Sequence, residues 1–128
     1  MHTIHGRAIK KGRGEGTSLV STEPIGFLGG VDPDTGIVIE RGHSLHGQSV
    51  AGRVLVFPTG KGSTVGSYTI YRLAKNRVGP VAIINAQSEA IVAVGAIISD
   101  IPMVDQVDIA QIRTGDAVVV RDGVVTIE

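Results

Sequence analysis

Gly60-Lys61-Gly62-Ser63-Thr64, inside the stretch FPTGKGSTVGSYTIYRL (57–73), holds the residue types best suited to chemistry in this 128-residue chain. The glycines let a ligand approach the backbone, Lys61 brings a positive charge, and Ser63 and Thr64 bring adjacent hydroxyls. A helix opening here would present unpaired N–H groups that attract an anion. A serine does proton chemistry only where backbone donors or a nearby cation stabilise its alkoxide, and this loop offers both. The plainer alternative is a tight strand-to-helix turn, with the glycines serving geometry and Ser63 acting as an N-cap.

Better-known glycine loops fit poorly. A Walker phosphate loop needs a glycine five positions before Gly60 and a hydroxyl residue directly after the lysine; Leu55 and Gly62 stand there instead. A dinucleotide fingerprint needs G-x-G-x-x-G and an acidic residue some 20 positions on. Here the third glycine is Gly66, one place late, and the next apolar run ends on Asn85. No His–Asp relay for Ser63 is visible. His43 and His46, in GHSLHG, belong to a separate loop, where turn or cap roles compete with metal ligation.

The elements that must position this loop can be read from apolar spacing. RVLVFP (53–58) is a short apolar run ending in proline, a buried strand. From Thr64 to about Lys75 apolar residues recur at helical spacing, with Ser63 as the expected cap. GPVAIINA (79–86) reads as a second buried strand, and QSEAIVAVGAII (87–98) as a second helix capped at Ser88 with Glu89 in its first turn. Further strands are expected at 3–10, 17–22, 37–40 and 101–105. TGDAVVVRDGVVTIE closes the chain as a hairpin turning at Asp122-Gly123. Asp32, in GGVDPDTG, reads as a turn former. This order predicts an α/β chain, either a layered sheet or a strand-rich small barrel, with two main helices packed on it. A doubly wound nucleotide fold needs more βα units than are present.

Composition narrows the partners. Twelve basic residues balance twelve acidic ones, and only two Tyr and two Phe occur. That excludes a nucleic-acid binder relying on phosphate neutralisation or base stacking. No apolar run is long enough for a membrane helix, and the N-terminal stretch lacks the core of a secretory signal. A cytoplasmic, one-domain protein spanning 1–128 is therefore expected. With no cysteine, the chain has neither a thiolate nucleophile nor thiolate ligands for an iron–sulfur cluster.

The segments HSLHGQSVAGRVLVFPTGKGSTVGSYTIYRL and INAQSEAIVAVGAIISDIPMVD together resemble the small subunit, or swivel domain, of the aconitase X group. The similarity runs from GRAIKKGRGEG to the C-terminal hairpin, and GKGSTVGSY is its most specific part. The resemblance implies a swivelling β/β/α fold and a heterodimer whose large subunit carries a 4Fe-4S cluster. It implies a hydro-lyase active site between the subunits, with Ser63 as catalytic base by motif position. The implied reaction dehydrates (R)-5-phosphomevalonate to trans-anhydromevalonate 5-phosphate, in the archaeal mevalonate route to isoprenoids. Gly62, Thr64 and Val65 would line the substrate through their backbone, Lys61 would stabilise charge, and Asp32 would either face the cleft or only make its turn. Many aconitases continue the loop with a second serine and a carboxylate-gripping arginine. Thr64 and Val65 stand in those places here, which leaves carboxylate binding to backbone N–H groups or to the large subunit.

Other readings make different demands. A cis-3-hydroxy-L-proline dehydratase of the same group would share the loop but not the substrate. The final hairpin also resembles that of phosphohistidine swivel domains, in which case His43 or His46 would carry phosphate. A purely structural partner that closes another enzyme's cleft would not need the Ser63 hydroxyl.

Overall fold

The computed structural model describes all residues from Met1 to Glu128. Eight strands and two main helices follow one another along the chain: β1 (His2–His5), β2 (Arg7–Lys10), β3 (Arg13–Val20), β4 (Val54–Phe57), α1 (Gly66–Lys75), β5 (Ala82–Asn85), α2 (Ala90–Ser99), β6 (Met103–Asp105), β7 (Ala117–Arg121) and β8 (Val124–Ile127). A 3-10 turn at Ile109–Gln111 precedes β7.

The sheet order is β1-β8-β7-β3-β4-β5-β6-β2. Strands β3, β4, β5 and β6 run parallel, with α1 crossing from β4 to β5 and α2 from β5 to β6. The remaining pairings are antiparallel. The two edge strands, β1 and β2, are consecutive in the chain and joined only by Gly6, so the sheet curls into a nearly closed barrel. Gly6 N–H donates to Gly123 O at 2.9 Å across that seam. A Cβ on Gly6 would lie 2.5 Å from Asp105 O and 2.6 Å from Val104 Cγ2, so only glycine fits the corner. The run 3–10 is accordingly two strands rather than the one expected.

Alternation along the central strands builds two cores. Leu55 and Phe57 of β4, Ile83 of β5 and Met103 of β6 face Ile70 and Leu73 of α1 and Val92 and Ala96 of α2. Val54, Val56, Ala82, Ile84 and Val104 point the other way, to Val118, Val120 and Val125 inside the barrel. Strands covered on both faces must be apolar at every position, which is why β4 and β5 read as uninterrupted hydrophobic runs. The long excursion between β3 and β4 holds no regular strand. The expected strand at 37–40 is reduced to isolated bridges, Val31 with Val38 and Ile37 with Ser49. Its apolar residues Ile25, Phe27, Val31, Val38, Leu45 and Val50 nevertheless complete the helix-side core, and Phe27 meets Phe57 edge-on at 6.0 Å between ring centroids.

Both helix starts lie further along than the sequence spacing implies. Helix α1 begins at Gly66, not Thr64, and its N-cap is Val65, whose side chain makes no capping bond. Helix α2 begins at Ala90, with Glu89 rather than Ser88 as its N-cap. The hairpin turns where expected, Asp122 and Gly123 both adopting positive φ, 47° and 87°.

Candidate active site

The loop after β4 lies at the carboxyl ends of the parallel strands, the side where open α/β sheets present their binding crevice. It is anchored at its start. Ile25 N–H donates to Thr59 O at 3.2 Å, and Lys61 N–H to Ile25 O at 3.1 Å, so Gly60 bridges to the 21–30 segment. A Cβ on Gly60 would collide with the Glu89 carboxylate and lie 2.5 Å from Val92 Cγ2; glycine is what lets the loop press against the start of α2. Gly62 then takes φ +94°, a backbone state that side chains resist.

Lys61, Gly62, Ser63, Thr64 and Val65 form one continuous exposed segment. The Lys61 stem lies across Gly26, whose missing side chain leaves it room, and its Nζ pairs with Glu40 Oε2 at 3.2 Å. The backbone N–H groups of Gly62, Ser63 and Thr64 donate to no group of this chain. Val65 N–H is engaged, donating to Ser63 Oγ at 3.2 Å. Ser63 O accepts from Gly66 N–H at 2.9 Å, closing the turn that feeds α1. A donor aimed at the Ser63 oxygen favours its deprotonated form, and three successive amides beside it, just before a helix, are free to donate to an anion. Ser63 is thus neither the N-cap nor a buried structural hydroxyl.

Asp32 lies apart from this segment in its contacts. Its Oδ1 accepts from Asp34 N–H at 2.9 Å, and the same turn docks on the far end of α1, where Asn76 Nδ2 donates to Pro33 O at 2.8 Å. Turn-making accounts for every contact Asp32 makes. His43 is buried, with Nδ1 accepting from Leu45 N–H at 3.0 Å and Nε2 facing Pro24 O at 3.0 Å. Its two ring nitrogens are both committed, Nε2 carrying the proton, so no nitrogen is free to take a phosphoryl group.

Sequence reading missed two supports of the loop. One is Glu40, whose pairing with Lys61 spans a long excursion and leaves no local signal. The other is Asp105, at the end of β6. Its carboxylate is nearly inaccessible and accepts from Arg7 Nε at 2.9 Å, Arg7 Nη2 at 2.7 Å and Ser88 Oγ at 2.7 Å. The Arg7 hydrogen bonds hold Asp105 below the usual carboxylate range, aided by Ser88 and opposed by burial. Asp105 thereby fixes Ser88, and Glu89 beside it caps α2 through both oxygens, to Ile91 N–H and Val92 N–H at 2.8 Å each. No group of three or more His, Cys, Asp or Glu side chains is placed to hold a metal, so the residues of this chain do not fit an iron–sulfur cluster. No helix is long and apolar enough to cross a membrane.

The fold is thus a nearly closed barrel with two crossing helices and an exposed serine loop at the parallel-strand ends. Residues 3–128 match the model of the aconitase X swivel domain, and the chain belongs to that family. It is 59% identical over 112 residues to the phosphomevalonate dehydratase small subunit of Thermococcus kodakarensis, covering 88% of this chain and 84% of that one. The protein of the same name from Methanocella arvoryzae is 59% identical over 120 residues, 91% of each chain. That from Thermococcus onnurineus is 53% identical over 127 residues, 98% of each. The fold superposes on a chain of the crystal structure of Thermococcus kodakaraensis aconitase X in its holo-form with a TM-score of 0.98 at 55% identity, covering 100% of this chain and 99% of that one.

Proposed function

We propose that this chain is the small subunit of a two-subunit phosphomevalonate dehydratase, in which Ser63 is the proton acceptor. The observation that carries the reading is the exposed Ser63 hydroxyl, which receives the Val65 N–H and is flanked by the free amides of Gly62, Ser63 and Thr64. The identity of more than half the aligned residues with small subunits of that name supports phosphomevalonate as the substrate.

In this reading (R)-5-phosphomevalonate binds between the subunits. The Ser63 alkoxide removes a proton from the carbon next to the carboxylate, and the C–H bonding pair becomes the second bond of the alkene as the tertiary hydroxyl leaves with its own bonding pair as hydroxide. The proton on Ser63 then passes to that hydroxide, which yields water, restores the alkoxide and leaves trans-anhydromevalonate 5-phosphate. That carbon acid is weak, so the alkoxide must be held ready and kept dry. The Val65 N–H and the helix end stabilise it, while closure of the large subunit over the loop excludes water. The amides of Gly62 and Thr64 bind an anionic group of the substrate, which answers the missing aconitase arginine at Val65. Lys61 adds positive charge at the rim. The Lewis-acid chemistry of a 4Fe-4S cluster falls to the large subunit.

The test is anaerobic turnover of (R)-5-phosphomevalonate by this chain with its large subunit, wild type beside Ser63→Ala. Loss of a general base costs about 10²–10⁴-fold in rate, with assembly unchanged. Equal activity of the two would make the loop a binding element only. Turnover of cis-3-hydroxy-L-proline instead would move the substrate within the group.

A further inference from the structure

We propose that the outer face of α2, formed by Val94, Ile97 and Ile98 and continued by Tyr68 of α1, is the surface on which the large subunit seats. This inference rests on the two-subunit reading above.

Helix α2 contains no charged residue from Ala90 to Ser99. Its inner face is spent on the core: Val92, Gly95 and Ala96 are buried, and Gly95 lets Ile70 of α1 approach so closely that a Cβ there would meet Ile70 Cδ1 at 2.6 Å. The outer face repeats the same chemistry without cover, Val94, Ile97 and Ile98 being 47%, 50% and 45% exposed. A helix apolar on every side is a helix covered on every side. The neighbouring α1 shows the contrast, since it places Arg72 and Lys75 in its last turn. Scattered exposed aliphatics mean little, but a contiguous apolar surface marks an interaction site.

Its position selects the occupant. A groove of about 330 Å³ between the helices is lined by Thr64, Tyr68, Ile91, Val94 and Ile98, so the apolar surface runs directly into the loop that carries Ser63. A chain that closes over Ser63 meets this groove at the next residue, Thr64. Ion pairs stand nearby in sequence at both ends, Lys61 with Glu40 beside the loop and Lys10 with Asp100 just past the end of α2. An apolar centre with charges at its edge is the composition of a protein–protein interface. A second copy of this chain seated here would cover the groove at Thr64, the place that the proposed reaction needs for the large subunit. The large subunit is therefore expected to present an apolar, weakly charged surface here.

The test measures affinity of the full-length chain for the purified large subunit. The variants are Ile97→Lys and Val94→Lys, with Arg121→Glu on β7, which pairs with β3 and β8, as control. Both positions are about half exposed, and a lysine at Ile97, in the last turn of α2, also suits the helix dipole, so folding is retained, and melting curves check it. Both lysine variants should weaken pairing at least about tenfold, the cost of a poorly placed interface charge, and Arg121→Glu should not. Dehydratase activity should return as the variant concentration is raised, which distinguishes lost docking from lost chemistry. Unchanged affinity in both variants overturns the surface assignment while the two-subunit reading stands. A self-dimer broken by Ile97→Lys, with large-subunit affinity intact, assigns the face to a second copy and overturns the inference. Failure of the wild-type chain to pair with the large subunit overturns the inference together with the reading beneath it.

Discussion

The molecule contains two strand-to-helix turns side by side, and they differ in how fully their polar groups are satisfied. After β5, Ser88 is bonded to Asp105, and Glu89 accepts from the second and third amides of α2, Ile91 and Val92. After β4, the helix has no side-chain cap, and three successive amides before it donate to nothing in the chain. The same βα geometry thus serves support in one place and chemistry in the other. The open entrance lies on an exposed segment, where water meets its amides until a ligand replaces it, and the capped turn is pressed against it at Gly60. The rigid turn holds the open one in shape.

Exchanging the two serines separates the roles most sharply. Ser63→Ala should remove nearly all turnover and shift stability by less than about 0.5 kcal/mol, as expected for an exposed side chain. Ser88→Ala should do the reverse, losing about 1.5–3 kcal/mol in denaturant unfolding because a hydrogen bond to a carboxylate is gone, while the folded fraction turns over normally. Comparable activity losses in both would dissolve the distinction.

Gly60→Ala attacks the contact between the turns. Its Cβ must displace the Glu89 carboxylate from α2, so stability should fall by about 1–3 kcal/mol and activity with it. Activity surviving a measured loss of stability would show that the loop keeps its shape without α2.

Acid tests the support alone. Because Arg7 holds the Asp105 carboxyl below its ordinary value, the stability it contributes is complete above the unfolded value and is lost as pH falls through the folded one. Stability should therefore drop on acidification below about pH 4, and Asp105→Asn should flatten that part of the profile while lowering stability at neutral pH. Urea midpoints across the acid range measure it. The smallest effect is expected at Glu40→Gln. The Lys61 pair is half exposed, so unfolding should change by only about 0.2–1 kcal/mol. KM for the phosphorylated substrate should move instead, as Lys61 is freed.

Local spacing carried the elements that local chemistry decides. The apolar runs at β4 and β5, the helical periodicity of both helices, the Asp122-Gly123 hairpin and the Gly-Lys-Gly-Ser loop were all legible, since each depends on neighbours a few residues apart. The helix starts were displaced by a residue or two: the Ser63 hydroxyl closes a local turn with the Val65 amide before α1 begins, and Ser88 is drawn away by Asp105. The division of 3–10 into two strands was illegible for a similar reason: the break at Gly6 exists only because Val104 and Asp105 occupy the space a side chain would need.

Residue order alone settled which loop carries a serine between glycines, that no cysteine can bind a cluster, and that the central strands are covered on both faces. Tertiary structure decided that Ser63 is open and Ser88 closed, that Glu40 reaches Lys61, and that Arg7 reaches Asp105 from the opposite end of the chain. Those outcomes depend on which distant groups the closed sheet brings within bonding distance. Spacing along a chain encodes the periodicity of one element, but it does not encode the identity of the group that element will meet.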